Sequence, residues 1–180
     1  MSEMVRNVLE HARSEDGALV CAQFYSGEST GRSYVSVGIA DLGRGIRSSL
    51  LTNYPSLRTD REAVLKSIEP GVTGAVIGMY GSATNAGAGL FFTRRLAEAT
   101  DRHFAVGSGD AMFRTSTARR RPSDISLVLD INPYPGTVVT VDVGLDEEVD
   151  FGDFLALSRE AFTRQDEKTK RRVAEGVKFV

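Results

Sequence analysis

The sequence has little net charge of either sign, a single cysteine and no long apolar run. Lys and Arg number 22 against 24 Asp and Glu, a formal net charge of −2. No basic field of the kind that draws nucleic acid is therefore present. The one dense basic run, Arg119-Arg120-Arg121, is short, precedes a proline and reads as a solvated loop. Cys21 sits in an apolar run and has no second cysteine to pair with. An internal disulfide is excluded, and a reducing, cytoplasmic setting is the expectation. No stretch approaches the roughly 20 apolar residues needed to span a bilayer. The N-terminus runs into charged, helical sequence, so no signal peptide is expected.

What is abundant is glycine, and it is clustered, with 18 residues in a chain of 180. That length suffices for one domain with a sizeable core. Met4, Val5, Val8, Leu9 and Ala12 recur at helical spacing, which predicts an amphipathic helix over residues 3–12 with Ser2 as its cap. Residues 18–25 and 34–40 are β-rich and separated by a Gly/Ser/Thr turn, an antiparallel hairpin. Short helices are expected over 46–51 and 61–68, and a longer one over 89–99. Residues 69–88 carry five glycines and one proline without a clear period, the signature of a lid or a loop. Ser108-Gly109-Asp110 predicts a tight hairpin between strands at 104–107 and 112–115. Asn132-Pro133-Tyr134-Pro135-Gly136 separates two further strands, 125–131 and 137–143. After Asp150 the chain reads as helical, with Phe151, Phe154, Leu155 and Phe162 as an apolar stripe followed by a charged stretch. These elements predict an α+β fold, a helix layer on a mixed, mostly antiparallel sheet. The expected organisation is one domain over 1–145 and a helical C-terminal extension over 146–180.

Three segments carry polar chemistry. Glu3 and Asn7 are four residues apart and share one helix face, with Glu10 and His11 close by. Asp41-Leu42-Gly43-Arg44-Gly45-Ile46 closes a strand with a carboxylate followed by two glycines. Such a carboxylate can accept a hydrogen bond from an exocyclic amine, and the glycines let backbone approach a flat ligand. Asn85-Ala86-Gly87-Ala88-Gly89-Leu90 leads into a helix, where free amides and the helix dipole favour an anion. It lacks the Gly-Lys-Ser/Thr ending of a P-loop and does not follow a strand as a dinucleotide-binding loop does. Taken singly, each also fits an ordinary element: a solvated helix face, a glycine turn, a loop before a helix.

Taken together and in this order, the segments resemble the GHKL superfamily of ATPases, which includes gyrase B subunits, heat-shock chaperones, mismatch-repair ATPases and histidine kinases. Glu3 to Asn7 resembles its N-box, Asp41 to Ile46 its Asp-x-Gly-x-Gly box, and Asn85 to Leu90 its second glycine box. Pro135-Gly136-Thr137, opening a strand, is similar to its late Gly-Thr element. The resemblance covers about residues 3–143. It implies a two-layer sandwich of the Bergerat type that binds ATP with Mg2+. Asn7 would coordinate the magnesium, a hard cation that takes oxygen ligands. Glu3 would be the base that orients water or another nucleophile. Asp41 would accept from the adenine amine, helped by the Thr137 hydroxyl. Gly43, Gly45 and Ile46 would line the adenine pocket, and Asn85, Gly87, Gly89 and Leu90 would border the phosphates. Residues 69–86 would be the ATP lid. His11 would face the phosphates or be an ordinary histidine.

The chain departs from the pattern in three places. Asn85 stands where the glycine box opens with Gly, and Asn tolerates left-handed backbone. Ala88 replaces a larger apolar residue. The chain also starts almost at the N-box, where family members carry upstream structure, so a preceding segment or a partner is expected to supply that piece. Neither His11 nor His103 sits on a dimerisation hairpin, so autophosphorylation on histidine is not expected. The expected function is an ATPase or a protein kinase module in signal transduction, acting on a protein partner or phosphoacceptor. The alternative is a switch without turnover, in which ATP orders the lid for a partner, and a third reading is a structural domain without nucleotide. The C-terminal helix would dock on the domain or on a second copy, giving a homodimer.

Overall fold

A computed structural model describes residues 17–28, 31–74, 89–115 and 127–146, together with the single positions 152, 156, 160 and 163. The predicted helix over 3–12 and most of the expected lid lie outside them.

Strand β1, Ala18–Tyr25, pairs antiparallel with β2, Tyr34–Asp41, as the β-rich runs predict. Three helices follow among the described residues: α1, Gly45–Leu50, α2, Asp60–Ser67, and α3, Gly89–Ala99. Strands β3, Phe104–Arg114, and β4, Leu127–Gly144, complete a four-stranded sheet in the order β1-β2-β4-β3. Every pairing among the described residues is antiparallel, where a mixed sheet is the expectation. The architecture is α+β.

The two turns predicted inside β3 and β4 bend these strands without ending them. The Thr115 amide donates to the Phe104 carbonyl at 2.9 Å. Eleven extended residues would hold those groups roughly 35 Å apart, so β3 doubles back, with Gly109 at a φ of 60° in the bend. β4 doubles back around it. Its residues Leu127 to Asp130 pair with the second half of β3, and Thr137 to Val141 pair with the first half. The register slips at Ser108/Gly109 and Gly109/Ala111, facing Asn132 to Gly136. The two turns are nested, one inside the other. Pro133 and Pro135 are tolerated because they sit where the ladder is already broken.

The sheet packs its alternate residues into one core. Val37 of β2, Val141 of β4 and Phe104 of β3 form one rung, and Ile39, Val139 and Val106 form the next. All six are buried and join Ile46 and Leu50 of α1, Ala63 and Val64 of α2, and Ala97 of α3. Phe104 and Phe113 meet with ring centroids 6.3 Å apart. Burying such a ring fully contributes about 1.5–3 kcal/mol. β1 is different. It is an edge strand, exposed along its whole length, with Leu19 73% accessible despite the apolar sequence.

Helix α2 is fixed at its start by a capping box. The Glu62 amide donates to Thr59 Oγ1 at 3.1 Å, and the Glu62 carboxylate accepts from the Thr59 amide. Thr59→Ala is expected to cost about 1 kcal/mol, seen as a melting temperature lower by roughly 2–4 °C. At the far end of β2, the Ser33 amide and hydroxyl both donate to the Asp146 carboxylate. Those bonds, the amide first, hold the Asp146 carboxyl below its usual range. They tie the end of β4 to the β1–β2 loop. Beyond it, Gly152, Ala156, Glu160 and Thr163 are helical and exposed, in keeping with the helix expected there.

Candidate functional site

The two apolar rungs are followed by a polar one. Asp41 of β2 pairs with Thr137 of β4, and Thr137 pairs with Ser108 of β3. Asp41 is 5% and Ser108 3% accessible, so two polar side chains occupy positions where the alternation would otherwise continue the core.

Each is held by specific bonds. The Gly43 amide donates to Asp41 Oδ1 at 2.8 Å, closing a tight turn after β2. The Thr137 amide donates to the same oxygen at 3.3 Å. Among the described residues, no donor reaches Oδ2. Ser108 uses its hydroxyl twice: it donates to the Gly136 carbonyl at 2.7 Å and accepts from the Ile46 amide at 2.9 Å. It thereby joins the start of α1 to the opening of the strand that carries Thr137.

Two glycines make this packing possible. Gly45 has a φ of 74°, and a Cβ there would lie 2.8 Å from Ser108 Oγ. Gly136 faces β2 so closely that a Cβ would fall 1.9 Å from the Asp41 carbonyl oxygen and 2.8 Å from Oδ1. Any side chain at 136 would push the carboxylate away from the Thr137 amide.

The structure thus brings together Asp41, Gly43, Gly45, Ile46 and Thr137, all singled out in the sequence. Their roles are more specific than pocket lining. Gly43 serves through its amide, Gly45 through its fit to Ser108, and Ile46 is a buried core residue that also donates its amide. Thr137 meets Asp41 through its backbone. Its hydroxyl makes no bond among the described residues, so it remains available to another group. Gly89 and Leu90 open α3. Leu90 packs against the core, and the Gly89 carbonyl accepts from Thr93 Oγ1 at 2.8 Å. No bond joins either to Asp41 among the described residues. Glu3, Asn7, His11, Asn85 and Gly87 lie outside the described residues. No group of three or more His, Cys, Asp or Glu side chains that could hold a metal is found among the described residues.

Ser108 and Gly136 were not picked out as site residues by sequence reasoning. The signal for Ser108 was present in the period-two series Phe104, Val106, Ser108, which places the serine on the core face. Its place in a turn motif hid it. Gly136 could be suspected only as part of the Gly-Thr element.

No protein-family model matches the chain, and no curated protein or solved structure matches it. No described helix is long and apolar enough to cross a membrane.

Proposed function

We propose that the chain is a Mg-ATP-binding module of the GHKL type, with a Bergerat-type arrangement of its sheet and helices, in which Asp41 recognises the adenine amine. The observation that carries this reading is the buried carboxylate of the polar rung. Its Oδ1 takes both backbone amides while Oδ2 receives no donor among the described residues. A carboxylate taken out of water costs several kcal/mol unless its lone pairs are satisfied. The two amides alone could be served by the carbonyl of an asparagine, without that cost. An exocyclic amine of a flat base, entering beside Gly43 and donating to Oδ2, explains why a carboxylate stands there. The Thr137 hydroxyl, on the same rung, is the second polar contact such a base would use.

The resemblance supplies the rest. Asn7 would hold magnesium, the amides around Asn85, Gly87 and Gly89 would hold phosphates, and Glu3 would orient the nucleophile. A magnesium ion held by Asn7 would supply positive charge against the phosphates. Transfer to water makes the module an ATPase, and transfer to a partner's side chain makes it a protein kinase of a signalling pathway.

Calorimetric titration with ATP, with and without magnesium, tests the reading. Saturable, magnesium-dependent binding in the ~1 µM–1 mM range is expected, the range usual for enzyme substrates. A chain that binds no ATP at millimolar concentration would not be a nucleotide module. Binding without phosphate release, alone or with a partner, would assign a switch in place of an enzyme.

A further inference from the structure

The two sides of the sheet are finished differently. On the outside of the nested turns, the first arm of β4 pairs over a short stretch, Leu127 to Asp130, and ends on a charge. Arg61 closes over it, donating to the Val128 carbonyl at 3.4 Å and lying 3.7 Å from the Asp130 carboxylate. Short length and charge are the usual means of keeping a sheet edge from pairing with another chain. β1, at the opposite side, has neither. It runs for 8 residues, Ala18–Tyr25, without a charge, a proline or a glycine. Its register with β2 is unbroken, so no bulge twists the edge away. Among the described residues, β1 pairs with β2 alone, and its outer edge makes no backbone hydrogen bond.

Both faces of β1 are apolar and open. Val20 pairs with the buried Ile39, and Phe24 pairs with Val35, so both continue the core side of the sheet. They are nonetheless 48% and 58% accessible, because the described helices pack mainly on β3 and β4. Leu19 and Tyr25 stand exposed on the other face. The Tyr25 ring is stacked on Tyr34 at 4.6 Å, so it is ordered before anything docks on it.

We propose that β1 is a dimerisation edge, pairing antiparallel with β1 of a second copy about a two-fold axis through Ala22. The amides and carbonyls of a strand edge are satisfied by another strand. The strand's self-complementarity identifies which one. Centred on Ala22, antiparallel pairing sets Val20 against the second copy's Phe24 on the core side, and Leu19 against its Tyr25 on the other. Between Leu19 and Tyr25 no charge is buried, and the one polar side chain, Gln23, meets Cys21. The axis is normal to the sheet, so each copy gives and receives the same contacts and both helix layers lie on one side. The two Asp41 rungs then sit roughly 30 Å apart, at opposite ends of the joined strands. A strand-only interface buries on the order of 1,000 Å2, at the low end for specific association, so a dynamic dimer with a dissociation constant of about 10–100 µM is expected. Pairing requires no nucleotide.

Sedimentation velocity of the full chain without nucleotide, from about 1 to about 500 µM, is the test, with a shift from monomer to dimer across that range expected. Ala22 is exposed, so substitutions there leave the monomer intact, which melting curves at low concentration check. On the axis each copy meets its own residue 22. Ala22→Lys and Ala22→Glu therefore each set like charges face to face and weaken the dimer by about tenfold or more. Mixing the two variants sets lysine against glutamate and restores association well beyond that of either alone. A parent chain that stays monomeric throughout, whether its edge is bare or covered by its own residues, overturns the proposal. So does dimerisation that Ala22→Lys leaves unchanged, or a mixture of the variants no more associated than its components.

Discussion

Replacing Gly136 by alanine is expected to lower the melting temperature by about 10 °C, the largest loss of stability anticipated for a change of one methyl group in this protein. The methyl would lie 1.9 Å from the Asp41 carbonyl oxygen, 2.6 Å from its carbonyl carbon and 2.8 Å from Oδ1. The obstacle is backbone on the neighbouring strand, and no rotamer change relieves it. β2 and β4 must part at this rung. Parting loosens the Thr137 amide from Asp41, and the Gly136 carbonyl shifts from the Ser108 hydroxyl that holds the start of α1. Overpacking of this kind costs about 1–3 kcal/mol in a core that can yield. With the attached bonds lost, about 3–5 kcal/mol is expected, within the range of exceptional single substitutions. In a domain of this size each kcal/mol is worth roughly 2–4 °C. Thermal unfolding followed by circular dichroism measures the effect. An unchanged melting curve would mean that Asp41 and Gly136 do not approach each other, and the polar rung would lose its basis.

The local elements were legible because their signals are local. The β-rich runs around the Gly/Ser/Thr turn delimit β1 and β2 almost to the residue, and the apolar series from Leu90 to Leu96 marks α3. The turn chemistry of Ser108-Gly109-Asp110 and of Asn132 to Gly136 was also readable. That one turn nests inside the other was not. Nesting is a matter of register between residues about 20 to 30 positions apart, Ser108 against Thr137 and Ala111 against Asp130, and no local propensity encodes it. The start of α2 shows a smaller version of the same limit. The helix begins at Asp60, one residue ahead of the expected 61–68, because Thr59 caps it: its hydroxyl and the Glu62 carboxylate satisfy each other's amides. The exposure of β1 is likewise a property of its place at the sheet edge, which its apolar sequence does not encode. At the site, the Asp41 to Ile46 segment and Thr137 could be named from the sequence. Their distribution of labour required the sheet, because only pairing puts Ser108 on the same rung and Gly136 against Asp41.

Asp41→Asn is expected to weaken ATP binding about 10- to 100-fold while leaving stability within about 1 kcal/mol of the parent. A hydrogen bond to a charged group is worth about 1.5–3 kcal/mol, and its loss sets the size of the effect on binding. The asparagine carbonyl can take the place of Oδ1 and keep the Gly43 and Thr137 amides satisfied. Its NH2 then stands where Oδ2 was, and a donor faces the donor amine of adenine. Guanine carries an acceptor, O6, where adenine carries that amine. The variant should therefore lose the preference of the parent for ATP over GTP, and the narrowing of that ratio is independent of any general loosening of the fold. Asp41→Ala separates the two roles further. It removes the acceptor for both amides and is expected to destabilise the domain by about 1–3 kcal/mol as well as to abolish binding. The readout is a pair of calorimetric titrations, ATP and GTP, for parent and asparagine variant, with melting curves for all three proteins. If Asp41→Asn binds ATP as the parent does, with the same preference over GTP, the carboxylate serves the turn alone, and the adenine-recognition role assigned to it is lost.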